Sequence, residues 1–139
     1  MTLKMDAQAL TDFLHTQFLE VADDFTVDHI EPMGGRIRLN VGEKHLRPGG
    51  TVSGPSMFAL ADVAVYLCIL AMIGPKALSV TTSCSMDFMR KPEAATDLIG
   101  EVRLLKLGKQ LAVGDVLIFS EGKDAPVARA SMTYSIPKV

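Results

Sequence analysis

Between Arg47 and Lys76 the chain carries one charge, Asp62, in a run that is otherwise apolar or small. A helix apolar nearly all round belongs inside a protein rather than on its surface. Ser53-Gly54-Pro55 opens the run. Ser is a favoured N-cap, and Pro is tolerated in a first turn, where its missing N–H would have been orphaned anyway. Gly74-Pro75 closes the run with a helix-stopping pair. The pattern predicts a buried central helix between these two signals.

Upstream, residues 6–20 place Leu10, Phe13, Leu14, Phe18 and Leu19 near helical spacing, which predicts an amphipathic helix. Val27–Pro32 reads as a short strand and Met33-Gly34-Gly35 as a turn. Arg36–Val41 alternates strictly, as a strand with one wet face does. Gly42–Val52, with Pro48, Gly49 and Gly50, reads as a loop. Downstream, Ala77–Phe88 is extended and rich in Thr, Ser and Val. Leu98–Leu107 and Gln110–Ser120 flank a hairpin or bulge at Gly108-Lys109, and Val127–Ile136 alternates again. Helix, two strands, one buried helix, then three or four strands give an α+β class, with an antiparallel β-sheet around one long helix.

A chain of 139 residues fits a single domain spanning 1–139. Its mean hydropathy of +0.26 implies more apolar surface than a 15.0 kDa monomer hides, so a homo-oligomer is expected. Net charge is −2 with no basic block, which argues against a nucleic-acid partner. Cys68 and Cys84 lack CxxC spacing and sit in apolar or small runs, as buried thiols in a reducing compartment would. The first residues lack a basic stretch followed by an apolar core, unlike a signal peptide. Val63–Ile73 falls short of the ~20 residues that cross a bilayer. The expectation is a cytoplasmic protein with no membrane partner.

A carboxylate inside an apolar run carries a heavy desolvation cost unless something compensates it. Catalysis is the leading reason for Asp62; a structural carboxylate capping a neighbouring strand or loop is the plainer one. Tyr66, one turn on, could bond that carboxylate, line a pocket or fill the core. Ser79, Thr81, Ser83 and Ser85 alternate, so they are expected on one strand face, as a hydroxyl ladder or a pocket wall.

Two segments carry a family resemblance. Gly50-Thr-Val-Ser-Gly-Pro-Ser-Met-Phe-Ala-Leu-Ala-Asp62 resembles the G-T-x-H-G-G-x-x-x-x-L-A-D signature of hotdog-fold acyl-CoA thioesterases, nearest to the phenylacetate (PaaI-like) type. Ser83-Cys-Ser-Met-Asp-Phe-Met-Arg90 is similar to the strand that ends D-F-L-R-P in those proteins. The resemblance implies a hotdog fold, a side-by-side homodimer often paired into a homotetramer, and an active site at the dimer interface. It maps the family's acidic residue onto Asp62 and its oxyanion-binding amide onto Gly54. The family His is Ser53 here, the second Gly is Pro55, and a loop Asn is Arg47, so these three positions are the substrate-facing departures.

Thioester hydrolysis requires stabilisation of the carbonyl oxygen and delivery of water. A helix N-terminus presents unpaired N–H groups and about half a positive charge, which suits an oxyanion at Gly54. Asp62 would act as general base or as nucleophile. Tyr66, Ser83 and Ser85 are candidate acyl-pocket residues. Arg90, Lys91 and Lys109 are the candidate contacts for coenzyme A phosphates, Arg being suited to bidentate contact. Gly54 and Asp62 are eight residues apart, about 12 Å along one helix. One carbonyl therefore cannot meet both from a single chain: either the pairing is spurious, or Asp62 of one subunit meets Gly54 of another, which requires a dimer. Coenzyme A enters only as part of the substrate, with no metal or redox cofactor expected. The alternatives are a non-catalytic acyl-CoA-binding or regulatory domain, and an acyl-thioester hydratase or dehydratase. The last would need a His beside the acid, and none lies on the central helix.

Overall fold

The computed structural model describes residues 2–75 and 79–137. Its elements are α1 (Ala7–Gln17), β1 (Phe25–Glu31), β2 (Gly34–Leu39), α2 (Gly54–Ile73), β3 (Val80–Phe88), β4 (Leu98–Leu107), β5 (Leu111–Ser120) and β6 (Ala128–Ser135). Short 3-10 turns occupy Ala22–Asp24 and Glu43–His45. The strands form one six-stranded sheet ordered β1-β2-β4-β5-β6-β3, and every pairing is antiparallel.

The organising element is α2. Ser53 caps it, its side chain accepting from the Ser56 amide, and Gly74 ends it with φ 94°. Leu60, Ala61, Ala64, Val65, Leu67, Ile69, Leu70 and Ala71 are fully buried. Burying a large aliphatic side chain is worth about 1.5–3 kcal/mol, so the sheet has to surround this helix. Alternate residues of the strands supply the lining: Ile37 and Leu39 of β2, Leu98, Val102 and Leu104 of β4, Ala112, Val116 and Ile118 of β5, Ala128, Met132 and Tyr134 of β6. Gly114 lets the helix approach closely, since a Cβ there would stand 3.0 Å from Val65. By length and composition α2 could also cross a bilayer, but it is mostly buried and serves as the core helix.

One face of the N-terminal half of α2 is not covered. Pro55 and Phe58 are exposed, and Ala59, Asp62 and Val63 are half-buried. These positions recur at helical spacing and form a stripe. The stripe lies on the side of the sheet edge, where β3 pairs only with β6. Every β3 residue is exposed except half-buried Met86. Cys84 is therefore exposed in the chain, against the expectation of two buried thiols, because nothing covers that edge strand; Cys68 is buried as expected.

Element boundaries shift by a few residues, most clearly in three places. α1 starts after Asp6, whose carboxylate caps the Ala9 amide, and stops at Gln17 rather than residue 20. The turn expected at Met33-Gly34-Gly35 falls at Pro32-Met33, with Met33 taking φ 65°. Gly34 and Gly35 belong to β2: a Cβ on Gly34 would lie 2.6 Å from the Val102 carbonyl oxygen, and one on Gly35 would lie 2.7 Å from that of His29. Close strand packing, not turn geometry, selects glycine at both. Ala77 lies outside the described residues, and the strand begins at Val80.

Gly34→Ala should lower stability by about 1–3 kcal/mol, read as a reduced denaturant midpoint. The obstructing atom is backbone and cannot rotate away. An unchanged midpoint would show that the β2–β4 contact yields freely.

Candidate active site

Asp62 projects from the open stripe of α2. Its Oδ1 accepts a hydrogen bond from Thr81 Oγ1 at 2.5 Å and a short one from the Tyr134 hydroxyl. The same hydroxyl lies 2.5 Å from the Asp62 carbonyl oxygen. A hydroxyl has one proton to give, and the carboxylate is the stronger acceptor. Burial pushes Tyr134 well above the ordinary tyrosine range, and the charge of Asp62 adds to the shift, so it stays a donor. Among the described residues nothing donates to Oδ2. The carboxylate thus has one oxygen fixed and one available.

Available to what is shown by the pocket beside it, about 300 Å³, where Asp62, Thr81 and Tyr134 meet Val63, Tyr66 and Val80. The walls are mainly apolar. Tyr66 lines this pocket, while the residue that holds the carboxylate is Tyr134, one ring further at 6.4 Å between centroids. Burial pushes the Tyr66 hydroxyl up to about 12.

A second pocket, about 580 Å³, opens at the start of α2 and gathers Arg47, Gly54, Met57, Phe88, Arg90 and Lys91. The turn from Arg47 to Thr51, closed by the Arg47 amide to the Thr51 carbonyl at 2.9 Å, places Arg47 there. Of the first-turn amides, that of Ser56 bonds Ser53 Oγ at 3.3 Å and that of Met57 bonds the Ser53 carbonyl at 3.1 Å. Pro55 has none to give. Among the described residues the Gly54 N–H meets no acceptor, and a Cβ at Gly54 would stand 3.5 Å from the Phe88 ring. Arg90 Nη1 donates to the Pro126 carbonyl at 2.6 Å, which anchors the guanidinium at the rim.

Other expected site residues fall elsewhere. Ser53 is spent on the cap and Pro55 is exposed in the first turn; neither lines either of these two pockets. Lys109 sits in the β4–β5 hairpin, away from Arg90 and Lys91. That hairpin adjoins the far end of α2, where Leu104 bonds Met33 and the Met33 amide meets Met72 Sδ at 3.3 Å. Ser83 and Ser85 do not share a face with Thr81. Thr81 pairs with Tyr134, but Ser83 pairs with Thr133 and Ser85 with Ser131, because the register shifts between Thr81 and Ser83. A bulge of this kind adds a residue and reverses the alternation beyond it. Ser85 consequently opens on the outer sheet face with Asp87, Arg103 and Arg129. Cys84 takes the inward position opposite Met132, where burial first and then the charge of Asp62 raise its thiol above the usual range. It is a poor nucleophile there.

The two pockets share no lining residue within one chain. Neither contains a histidine, and among the described residues no three His, Cys, Asp or Glu side chains gather as metal ligands.

A long apolar helix wrapped by an antiparallel sheet, with a polar contact at its open flank and a free amide at its tip, is the hotdog architecture. Residues 49–127 match the family model of the thioesterase superfamily, and the chain belongs to that family. A candidate thioesterase of Silicibacter sp. TM1040 is 58% identical with a TM-score of 0.93, covering 99% of this chain and 96% of its own. The phenylacetic acid degradation protein PaaI of Thermus thermophilus is 31% identical with a TM-score of 0.72, covering 86% and 98%. A candidate esterase of Pseudomonas aeruginosa is 29% identical over 101 residues, 73% of this chain and 74% of that one.

Tyr134→Phe should cost about 1–3 kcal/mol at neutral pH by removing a donor from a charged acceptor. A tyrosine that ionises later in the folded chain than in the unfolded one stabilises the fold fully below pH ~10. It loses that contribution as pH rises above this value toward its folded ionisation. The alkaline decline in stability should therefore be shallower in Tyr134→Phe than in wild type. Parallel declines would remove Tyr134 as the cause.

Proposed function

We propose that the protein is an acyl-CoA thioesterase, hydrolysing a thioester to a free carboxylic acid and coenzyme A. The observation that carries this reading is the divided Asp62 carboxylate: Oδ1 is held by Thr81 and Tyr134, and Oδ2 meets no donor among the described residues and lies beside an apolar pocket.

The acyl group would lie in the Asp62 pocket and the thioester oxygen at the Gly54 amide. Those groups are about 12 Å apart along α2, so the site is assembled from two copies. The exposed edge of β3 supports that assembly. Thr81 is near one end of the strand and Phe88 at the other, and antiparallel pairing of β3 with its copy would bring the Thr81 end of one against the Phe88 end of the other. Asp62 of one copy would then approach Gly54 of the second. The same pairing covers the open stripe on α2, including Phe58.

Asp62 would take a proton from water as its oxygen attacks the carbonyl carbon. The Gly54 N–H would hold the resulting oxyanion until the C–S bond breaks and coenzyme A leaves, its sulfur regaining the proton. In the alternative route Oδ2 attacks directly and water cleaves the mixed anhydride. Arg47, Arg90 and Lys91 at the mouth of the Gly54 pocket would meet the phosphates. A hydratase or dehydratase is disfavoured, since no histidine lines either pocket. Binding without turnover is the remaining rival, because Ser53, Pro55 and Arg47 replace residues usual at these positions. A cytoplasmic setting agrees with two free cysteines.

Asp62→Asn should lower kcat/KM for acyl-CoA thioesters by about two to four orders of magnitude, followed by thiol release. A wild-type chain that binds acyl-CoA but frees no thiol would reduce the protein to a sensor. Arg90→Ala should raise KM for full coenzyme A thioesters while leaving truncated pantetheine thioesters unaffected. Equal effects on both would place Arg90 outside phosphate recognition. Sedimentation at micromolar concentration should show a dimer or tetramer; an active monomer is incompatible with a shared site.

A further inference from the structure

Phe18 stands at the far end of the Asp62 pocket, and its position follows from how α1 terminates. The Phe18 amide still bonds the Leu14 carbonyl at 2.9 Å, but its backbone leaves the helix at φ −133°, ψ 51°. The ring lies edge-on to Tyr66, with centroids 5.7 Å apart and planes at 87°, and 6.2 Å from Phe13. Tyr66 in turn lies 6.4 Å from Tyr134, whose hydroxyl bonds the Asp62 carboxylate. Tyr134, Tyr66 and Phe18 therefore form a succession of ring contacts that starts at the carboxylate, and Leu14 and Val21 line the same pocket.

Phe18 is not a core residue in the ordinary sense. It remains 39% exposed, whereas Leu14 and Phe13 on the same helix are buried. Its ring is positioned by edge-to-face contact, a geometry aromatic pairs prefer, and one side of it faces the pocket. Beyond it the chain turns through Leu19, which is 73% exposed.

We infer that Phe18 is a specificity-determining residue that sets how long an acyl group the pocket accepts. The inference rests on the reading of this pocket as the acyl site. A hydrophobic pocket distinguishes neighbouring chain lengths by about 10–200-fold, and a bulky aromatic ring on its wall is a feature that can impose such a limit.

The test measures affinity for non-hydrolysable acyl-CoA thioethers, short to long, with wild type, Phe18→Ala and Phe18→Trp, alongside kcat/KM for the matching thioesters. Thermal melting of each variant confirms folding. The long-over-short ratio should rise by about tenfold or more in Phe18→Ala and fall in Phe18→Trp. The same ratio in both folded variants as in wild type overturns the inference, while thiol release by wild type would leave the thioesterase reading standing. Wild type that binds the thioethers yet releases no thiol defeats hydrolysis, and the ratio still decides Phe18. Wild type that binds no acyl-CoA defeats both. Should Phe18→Ala not fold, Phe18→Trp decides through the opposite shift.

Discussion

Everything in this fold depends on hiding α2. The helix has buried side chains on nearly every side, and a single flat sheet covers only one side of a cylinder. The six strands must wrap, and an open sheet wrapped around a helix still has an edge. Its two edge strands are β1 and β3, and along β3 the first half of α2 keeps one stripe uncovered. Asp62 occupies the stripe. The single acid is tolerated because the covering is incomplete where it sits and because Thr81 and Tyr134 supply donors.

The same geometry separates the two halves of the proposed chemistry. The tip of α2 offers an amide next to Arg47, Arg90 and Lys91, and its flank offers a carboxylate next to apolar and aromatic walls. A positive tip suits an oxyanion and phosphates; an oily flank suits an acyl group. Because rise along a helix is fixed, one copy cannot fold these halves onto each other. In the proposed dimer the exposed edge strand β3 is the surface that would bring in the other half.

Much of the architecture was legible in the pattern of residues. The capping Ser53, the stop at Gly74 and the apolar run between them marked α2 closely, and alternation marked β2 and β6. The doublet Gly34-Gly35 misled because glycine serves turns and close packing alike, and a sequence does not say which neighbour would be struck. Lys109 was grouped with Arg90 by charge, although the β4–β5 hairpin carries it to the other end of the sheet.

For the candidate site the odd carboxylate and the capped helix start were readable from the residues alone. Both are local statements about composition and capping. Only the tertiary structure decided who holds Asp62. Tyr134 lies 72 residues away, and Tyr66, the nearer tyrosine, was the natural guess. The structure also decided which strand residues face inward, since one bulge in β3 turned Ser83 and Ser85 outward and Cys84 inward. Periodicity is fixed by backbone geometry and can be read along the chain. Register, and contacts between distant segments, are set by how the sheet closes over the helix, and no local pattern encodes them.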